Sequence, residues 1–166
     1  ERALGSGRSV PELVATSRVV EKVRAVKDDY ERSTLREAGR LLSMVAVDIS
    51  RIIEPGCQER DVAIEIDANL RNAGFERPAF DTIVASGPNS ALPHAQPSTR
   101  VFTEGDIVLL DFGGVLDGYC VDLSRVATIG TPSKVARRLH SAVAAAQEAA
   151  IAVVRPGVWA SEVDGA

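Results

Sequence analysis

The sequence lacks the features that mark membrane, secreted and nucleic-acid-binding proteins. None of its apolar runs approaches the roughly 20 residues that a membrane-spanning helix needs. Its opening residues, ERALGSGRSVPEL, contain no apolar signal-peptide core. Basic residues are not in excess either, because the formal net charge is −4, whereas nucleic-acid-binding proteins are more often basic. We therefore expect neither a membrane nor a nucleic acid as partner.

The chain also lacks paired cysteines. Its two thiols, Cys57 and Cys120, are far apart in the sequence and show no paired spacing. We expect two reduced cysteines in a cytoplasmic protein rather than a disulfide. The chain has 166 residues, of which 45% are apolar and 25% charged. This size and composition predict one globular domain with a single sizeable core.

Hydrophobic periodicity predicts four helices and three strands. Apolar residues recur at helical spacing in four segments, and Pro-Gly pairs end two of them. The predicted helices cover 11–26, 29–53, 58–73 and 132–154, and the predicted strands cover 80–86, 106–112 and 118–128. Residues 1–10 are rich in glycine and serine, which is typical of a linker.

One stretch of the sequence recurs. IIEPGCQERDV at 52–62 matches VVRPGVWASEV at 153–163, at an offset of 101 residues. In both copies a long apolar helix leads into Pro-Gly, and a new helix follows. Two independent helix ends could converge on this pattern, but it also fits a duplicated unit of two helices and antiparallel strands. On the second interpretation, the chain contains one full copy and the opening of another.

Two aspartates interrupt the apolar strands of LLDFGGVLDGYCVDLSR, residues 109–125. Asp117-Gly118 is a strong hairpin-turn signal between them. Asp111 and Asp122 face each other directly if Leu116-Asp117 is the central pair of the turn, and they are diagonal neighbours if Asp117-Gly118 is. Both alternatives place the carboxylates on one face of the sheet, whereas a loop with an odd number of residues would separate them.

Like charges on one face of a strand pair need compensation. At a separation of about 5 Å, the repulsion is roughly 3 kcal/mol for an effective dielectric constant of about 20. Protonation of one acid, a nearby cation such as Arg125, or a divalent metal ion could supply the compensation. The alternative is that the acids lie at a hydrated sheet edge or in a salt bridge.

A histidine lies in the proline-rich segment ALPHAQPS. Pro93 and Pro97 restrict the backbone around His94 and could hold its imidazole in place. A histidine in a loop is usually a surface residue, but near two metal-binding acids it could carry protons or contact substrate. His140 lies among Arg137, Arg138 and Ser141, which predicts a solvated helix face.

Residues 80–130, from FDTIVASGPNS to RVATIG, resemble the metallopeptidase family with the pita-bread fold. That family includes methionine aminopeptidases, Xaa-Pro aminopeptidases and Xaa-Pro dipeptidases. SGPNSALPHA and DFGGVLDGYCVDLSR look closer to the Xaa-Pro branch. The resemblance implies an α+β fold of the creatinase and aminopeptidase type, present here as the first pseudo-repeat and the start of the second.

The resemblance also implies a division of the chain. VEKVRAVKDDYERSTLREAG, residues 20–39, resembles the helix that links an N-terminal domain to the catalytic domain in the Xaa-Pro branch. Residues 1–28 would then be a linker and connecting helix from a missing N-terminal domain. Residues 29–166 would be the N-terminal part of the catalytic domain.

The implied function is a metal-dependent exopeptidase that hydrolyses the Xaa-Pro bond of dipeptides or of peptide N-termini. The family implies two divalent ions (Mn, Co, Zn or Fe, with Mn favoured) held by two Asp, one His and two Glu. Asp111 matches the acid that chelates one ion, and Asp122 matches the acid that bridges both. His94 matches the catalytic loop histidine that contacts substrate and helps to move protons.

The remaining metal ligands of the family, one His and two Glu, would lie beyond Ala166. We therefore expect residues 1–166 alone to be inactive. The expected partners are a peptide substrate with proline in the second position and, as is common in this branch, a second copy of the chain. The alternatives are a non-catalytic pita-bread module that binds peptides or proteins, and a creatinase-like hydrolase without metal. Both would be expected to lack an intact acid pair.

Overall fold

The structure is a computed structural model that describes residues 14–166. Its helices are α1 (Val19–Ala25), α2 (Asp29–Ile49), α3 (Glu59–Asn72), α4 (Lys134–Val153) and α5 (Ala160–Asp164). Its strands are β1 (Arg77–Pro78), β2 (Ile83–Ser86), β3 (Ile107–Leu116) and β4 (Tyr119–Thr128), and a short 3-10 helix covers Gly87–Ala91. No helix within residues 14–166 combines the length and the apolar character that a membrane crossing requires.

The four strands form one antiparallel sheet around β3. Strand β4 pairs with β3 along its whole length, and β1 and β2 pair with different parts of the same strand. One face of the sheet packs against α2 and α3, where Val84, Leu110 and Phe112 join the main core. We call the other face, which carries Asp111 and Asp122, the acid-bearing face.

Helix α2 supplies much of the core through one apolar stripe. Its buried residues recur at helical spacing, as expected for a surface helix: Ala38, Leu42, Val45 and Ile49. A capping box fixes its start, because Asp28 Oδ1 accepts from the Glu31 backbone N–H at 2.9 Å and Glu31 Oε2 accepts from the Asp28 N–H at 2.7 Å. The sheet therefore packs against a helix with a defined beginning and a defined apolar face.

The sequence repeat is also present in the structure. A long helix, a Pro-Gly pair and a new helix occur twice, and α5 begins 101 residues after α3. Gly56 and Gly157 occupy the same place in the two copies and have similar left-handed φ angles, 94° and 87°. Glycine adopts this conformation without steric cost. The two helix pairs therefore share backbone geometry as well as sequence.

The first predicted helix is much shorter than its apolar pattern indicates. Helix α1 covers only Val19–Ala25, residues 14–17 are not helical, and Arg18 has a φ of 61°. Among the described residues, the side chains that made the pattern are more than half exposed, so they do not form a core stripe: Val14, Val19, Val20, Val23 and Val26. The predicted linker at 1–10 and the first residues of the predicted helix, 11–13, lie outside the described residues.

The other predicted elements are present with shifted ends. Helix α2 ends at Ile49 rather than 53, and the strand predicted at 80–86 is regular only over Ile83–Ser86. Strand β3 continues to Leu116, past the predicted end at 112, because Gly113 and Gly114 pair with Asp122 and Val121 on β4. The longer hairpin places both aspartates well inside the paired region.

Candidate metal centre

The β3–β4 turn decides how the two aspartates face each other. Leu116 pairs with Tyr119, so Asp117 and Gly118 are the two turn residues. Their φ angles are 50° and 76°, both positive, as in the two-residue hairpin turns that Asp-Gly favours. Asp111 and Asp122 are therefore diagonal neighbours on one face, which is one of the two arrangements that the sequence left open.

The two carboxylates differ in their surroundings. Asp111 is half-buried and accepts a hydrogen bond from Ser124 Oγ at 2.7 Å, whereas Asp122 is more exposed. Partial desolvation raises the pKa of Asp122, and the negative charge of Asp111 and a hydrogen bond with it raise that pKa further. The backbone N–H of Leu123 acts in the opposite direction but does not cancel these effects. The charged form of Asp122 is thus electrostatically unfavourable beside Asp111 when no metal is bound.

Arg125 does not relieve this strain, contrary to one of the sequence-based alternatives. It pairs with Leu110 in the register, so its side chain lies on the opposite side of the sheet from Asp111. Its guanidinium donates to the backbone carbonyl of Ser124 at 2.8 Å. Within residues 14–166, no salt bridge includes Asp111 or Asp122. Protonation and a bound cation therefore remain as the ways to compensate the pair.

The residues next to Asp122 on the acid-bearing face are small. Gly113 lies directly opposite Asp122, and Cys120 and Ser124 flank Asp122 on the same face. Cys120 is a free thiol and is exposed. Two adjacent carboxylates on one face suit a hard divalent cation.

An apolar cavity adjoins the acid pair along the same face. It has a volume of about 640 Å³ and lies between the sheet and helix α4. Leu109 and Val126, two residues along their strands from Asp111 and Ser124, form part of its floor. Leu139 and Val143 line it from the helix. The aspartates thus stand at the margin of an apolar recess.

His94 lies on the loop that crosses the acid-bearing face. Its own side chain is exposed, as is that of His140 on α4. The next residue, Ala95, is buried against Ile83 and Leu109, which lie on that face. Within residues 14–166, no group of three or more His, Cys, Asp and Glu side chains is arranged to hold a metal ion. His94 is therefore brought to the same face as the acids but does not form a ligand cluster with them.

Sequence reasoning missed a fully buried acid near this loop. Glu59, at the start of α3, is 0% exposed, and its carboxylate accepts hydrogen bonds from Ser86, Asn89 and Ser98. Burial by itself raises its pKa, but hydrogen bonds from Ser98 and Ser86 outweigh burial, so the pKa is lowered. In the sequence Glu59 resembles an ordinary acid in a first helical turn. Its partners are 27 to 39 residues away, and no local pattern connects them.

Comparison with known proteins supports the expected family. Residues 33–166 match the profile of metallopeptidase family M24. The chain is 32% identical over 156 residues to the Xaa-Pro dipeptidase of Pyrococcus furiosus, and the match covers 94% of this chain and 45% of that protein.

Two solved structures share the fold at similar identity. The Xaa-Pro dipeptidase of Bacillus anthracis superposes with a TM-score of 0.88 at 37% identity, covering 90% of this chain and 42% of that one. The X-Pro aminopeptidase of Thermotoga maritima superposes with a TM-score of 0.84, also at 37% identity, covering 88% and 42%.

The chain therefore belongs to metallopeptidase family M24, and its fold is part of the pita-bread fold, as the sequence predicted. It spans less than half the length of these relatives.

Proposed function

We propose that this chain forms part of a metal-dependent exopeptidase that hydrolyses Xaa-Pro bonds in dipeptides or at peptide N-termini. The observation that carries the proposal is the diagonal pair of Asp111 and Asp122, which share one face without a neutralising basic side chain among the described residues. The names of the relatives, Xaa-Pro dipeptidase and X-Pro aminopeptidase, support the choice of substrate.

The residues of the acid-bearing face have distinct roles in this proposal. Asp111 and Asp122 would each contribute a carboxylate to the binding of two divalent ions, with Mn²⁺ as the favoured metal. Such ions, when bound, supply an activated water and polarise the scissile carbonyl. The Ser124 hydroxyl orients Asp111 through their 2.7 Å hydrogen bond. His94, at the surface of its loop, contacts substrate and carries a proton.

Several narrower statements belong to the same proposal. Residues 29–166 are the N-terminal part of the catalytic domain, and residues 1–28 precede it as linker and connecting helix. The free thiols of Cys57 and Cys120 support a cytoplasmic location. The protein acts on peptides with proline in the second position and forms a homodimer. Residues 1–166 alone lack activity, because two carboxylates do not complete a dinuclear ligand set.

The acid pair also separates the proposal from its rivals. A non-catalytic pita-bread module and a creatinase-like hydrolase without metal have no need for two adjacent carboxylates. Among residues 14–166, no basic side chain forms a salt bridge with either acid that would offset the electrostatic cost of keeping both.

The proposal is tested on the protein as its gene encodes it, with D111N and D122N variants. We expect bound divalent metal in the parent protein, little in either variant, and a loss of Xaa-Pro hydrolysis of at least about 100-fold in both. E65Q is the matched control, since Glu65 is an exposed acid on α3, the helix that packs against the opposite face of the sheet. Full activity in D111N or D122N would refute the proposal. Assays on an Xaa-Pro dipeptide and on a longer Xaa-Pro peptide then separate a dipeptidase from an aminopeptidase.

A further inference from the structure

We propose that Glu59 is a positioning residue that fixes the loop carrying His94 over the acid-bearing face. This inference rests on the proposed function, in which His94 contacts substrate. Glu59 itself lies in the interior and does not reach the substrate side of the sheet, so it would act through the loop.

The carboxylate of Glu59 holds both ends of that loop at once. Its Oε1 accepts from the Ser86 N–H at 2.7 Å and from Ser86 Oγ at 2.8 Å. Its Oε2 accepts from the Ser98 N–H at 3.1 Å and from Ser98 Oγ at 2.6 Å. Asn89 Nδ2 donates to both oxygens, at 3.0 and 3.1 Å. One side chain therefore sets the separation between the start and the end of segment 87–97, which contains His94.

The backbone of α3 reinforces the same attachment. The N–H of Glu59 donates to the Arg100 carbonyl at 3.0 Å, and the N–H of Arg60 donates to the Ser98 carbonyl at 3.0 Å. These N–H groups belong to the first turn of the helix, where no partner exists within the helix itself. The returning end of the loop thus satisfies donors that would otherwise need water.

An ion pair packs under the start of the loop. Arg100 pairs with Asp106 at 2.6 Å and also donates to Ser86 Oγ at 2.5 Å. Gly87 lies so close to this pair that a Cβ there would be 2.6 Å from Asp106 Oδ1 and from the Arg100 guanidinium. The chain can leave Ser86 in this direction only because residue 87 has no side chain.

The middle of the loop has few attachments of its own. Ser90 Oγ donates to the Gly87 carbonyl, and the N–H groups of Leu92 and Ala95 donate to carbonyls of Asn89 and Leu92, all within the loop. Ala95 is its buried apolar contact with the acid-bearing face. The place of His94 therefore depends on the two anchored ends and on Ala95.

The test uses the protein as its gene encodes it, with E59Q and the control E65Q. Gln has the shape of Glu but only one acceptor oxygen, so either the Ser86 end or the Ser98 end faces an amide N–H₂ instead. Glu65 is on the same helix with an exposed side chain. In E59Q we expect amide hydrogen exchange to become faster in segment 87–97 and unchanged in α2. We also expect kcat/KM for an Xaa-Pro peptide to fall roughly 10- to 100-fold, as a misplaced catalytic group would cause. E65Q should behave as wild type.

A double-mutant cycle with H94A distinguishes positioning from a general structural role. If Glu59 acts through His94, E59Q should change the activity of H94A by no more than about two-fold, because the two effects are not independent. An equal loss in wild type and in H94A would overturn the proposal. S98A removes one hydroxyl donor and keeps the buried acid. It should change the exchange rates and the activity in the same direction as E59Q but by less, and it replaces E59Q in the test if E59Q does not fold.

Failure of the proposed function is recognisable separately. If wild type hydrolyses no Xaa-Pro peptide, the exchange rates of segment 87–97 and the NMR signals of the His94 imidazole still report on the loop. Unchanged exchange and unchanged His94 signals in E59Q would overturn the positioning role whatever reaction the protein catalyses.

Discussion

Asp111 and Asp122 lie diagonally across the β3–β4 hairpin, each facing a residue that cannot neutralise it. Asp111 is opposite Ser124, and Asp122 is opposite Gly113. The arrangement keeps two acids on one face at a cost that nearby side chains do not offset. The predictions below concern the stability and the metal affinity of variants in the hairpin, and the stability of a variant of Glu59, the buried acid that holds the neighbouring loop.

Asp122→Asn should raise the melting temperature of the metal-free protein at neutral pH. Desolvation and then the charge of Asp111 raise the pKa of Asp122 above its ordinary value of 3.8. The folded state therefore binds the proton more tightly than the unfolded state, and stability is lost as the pH rises through the folded-state pKa. Below 3.8 the advantage of the variant should disappear. Thermal denaturation with excess chelator at pH values on both sides of this window measures the effect.

The exposed acid Glu65 supplies the control for that experiment. E65Q should have the same melting temperature as wild type at each pH, since Glu65 lies on α3, which packs against the opposite face of the sheet from the acid pair. A melting temperature for D122N below that of wild type at neutral pH would show that the pair is not strained.

Gly113→Ala should destabilise the protein by roughly 1–3 kcal/mol, the usual cost of adding a methyl group to a filled site. The new Cβ would lie 2.2 Å from the Val121 carbonyl oxygen, a backbone atom that cannot swing aside. Gly39→Ala is the matched control, because no atom lies within 4 Å of its Cβ position on α2. It should be neutral or stabilise by roughly 0.5–1 kcal/mol through helix propensity. Denaturant unfolding of both variants measures the difference, and equal effects would contradict the register.

Arg125→Ala should leave the affinity for Mn²⁺ unchanged within about two-fold, because a charge on the far face of the sheet interacts weakly with the acid pair. The register places Arg125 opposite Leu110, away from Asp111. Calorimetric titration of the metal-free protein measures the affinity, and D122N in the same titration shows the loss expected of a ligand. A clear gain in affinity for R125A would mean that the guanidinium competes with the metal for the acids.

Glu59→Gln should destabilise the protein at neutral pH by roughly 1–3 kcal/mol, the cost of leaving buried donors without an acceptor. The pKa of Glu59 is lowered from 4.5, so the stabilisation from its charged form is fully present above 4.5 and is lost as the pH falls through the folded-state pKa. The difference in the free energy of unfolding between E59Q and wild type should therefore become smaller at acidic pH. Urea unfolding at neutral and acidic pH tests this, and a gap that widens in acid would show that Glu59 is buried in its neutral form.

Patterns of short range determined much of this protein directly from its sequence. Side chains alternate across a strand, so an Asp-Gly turn with an even number of loop residues predicted Asp111 and Asp122 on one face, and the two-residue turn meets that condition. Apolar spacing located α2, α3 and α4, and the recurrence of Pro-Gly at an offset of 101 residues anticipated the two similar helix pairs. These features depend on residues that are close together in the sequence, so they can be predicted from it directly.

Contacts between distant segments decided the rest. The valines near α1 have helical spacing but no surface to cover, so their pattern did not become a core. The side of the sheet that Arg125 occupies followed from the register, once Asp117 and Gly118 had become the turn. Glu59 acquired its partners only when folding brought Ser86 and Ser98 to the start of α3. A buried carboxylate needs several donors at once, and only the tertiary structure can assemble them from segments so far apart.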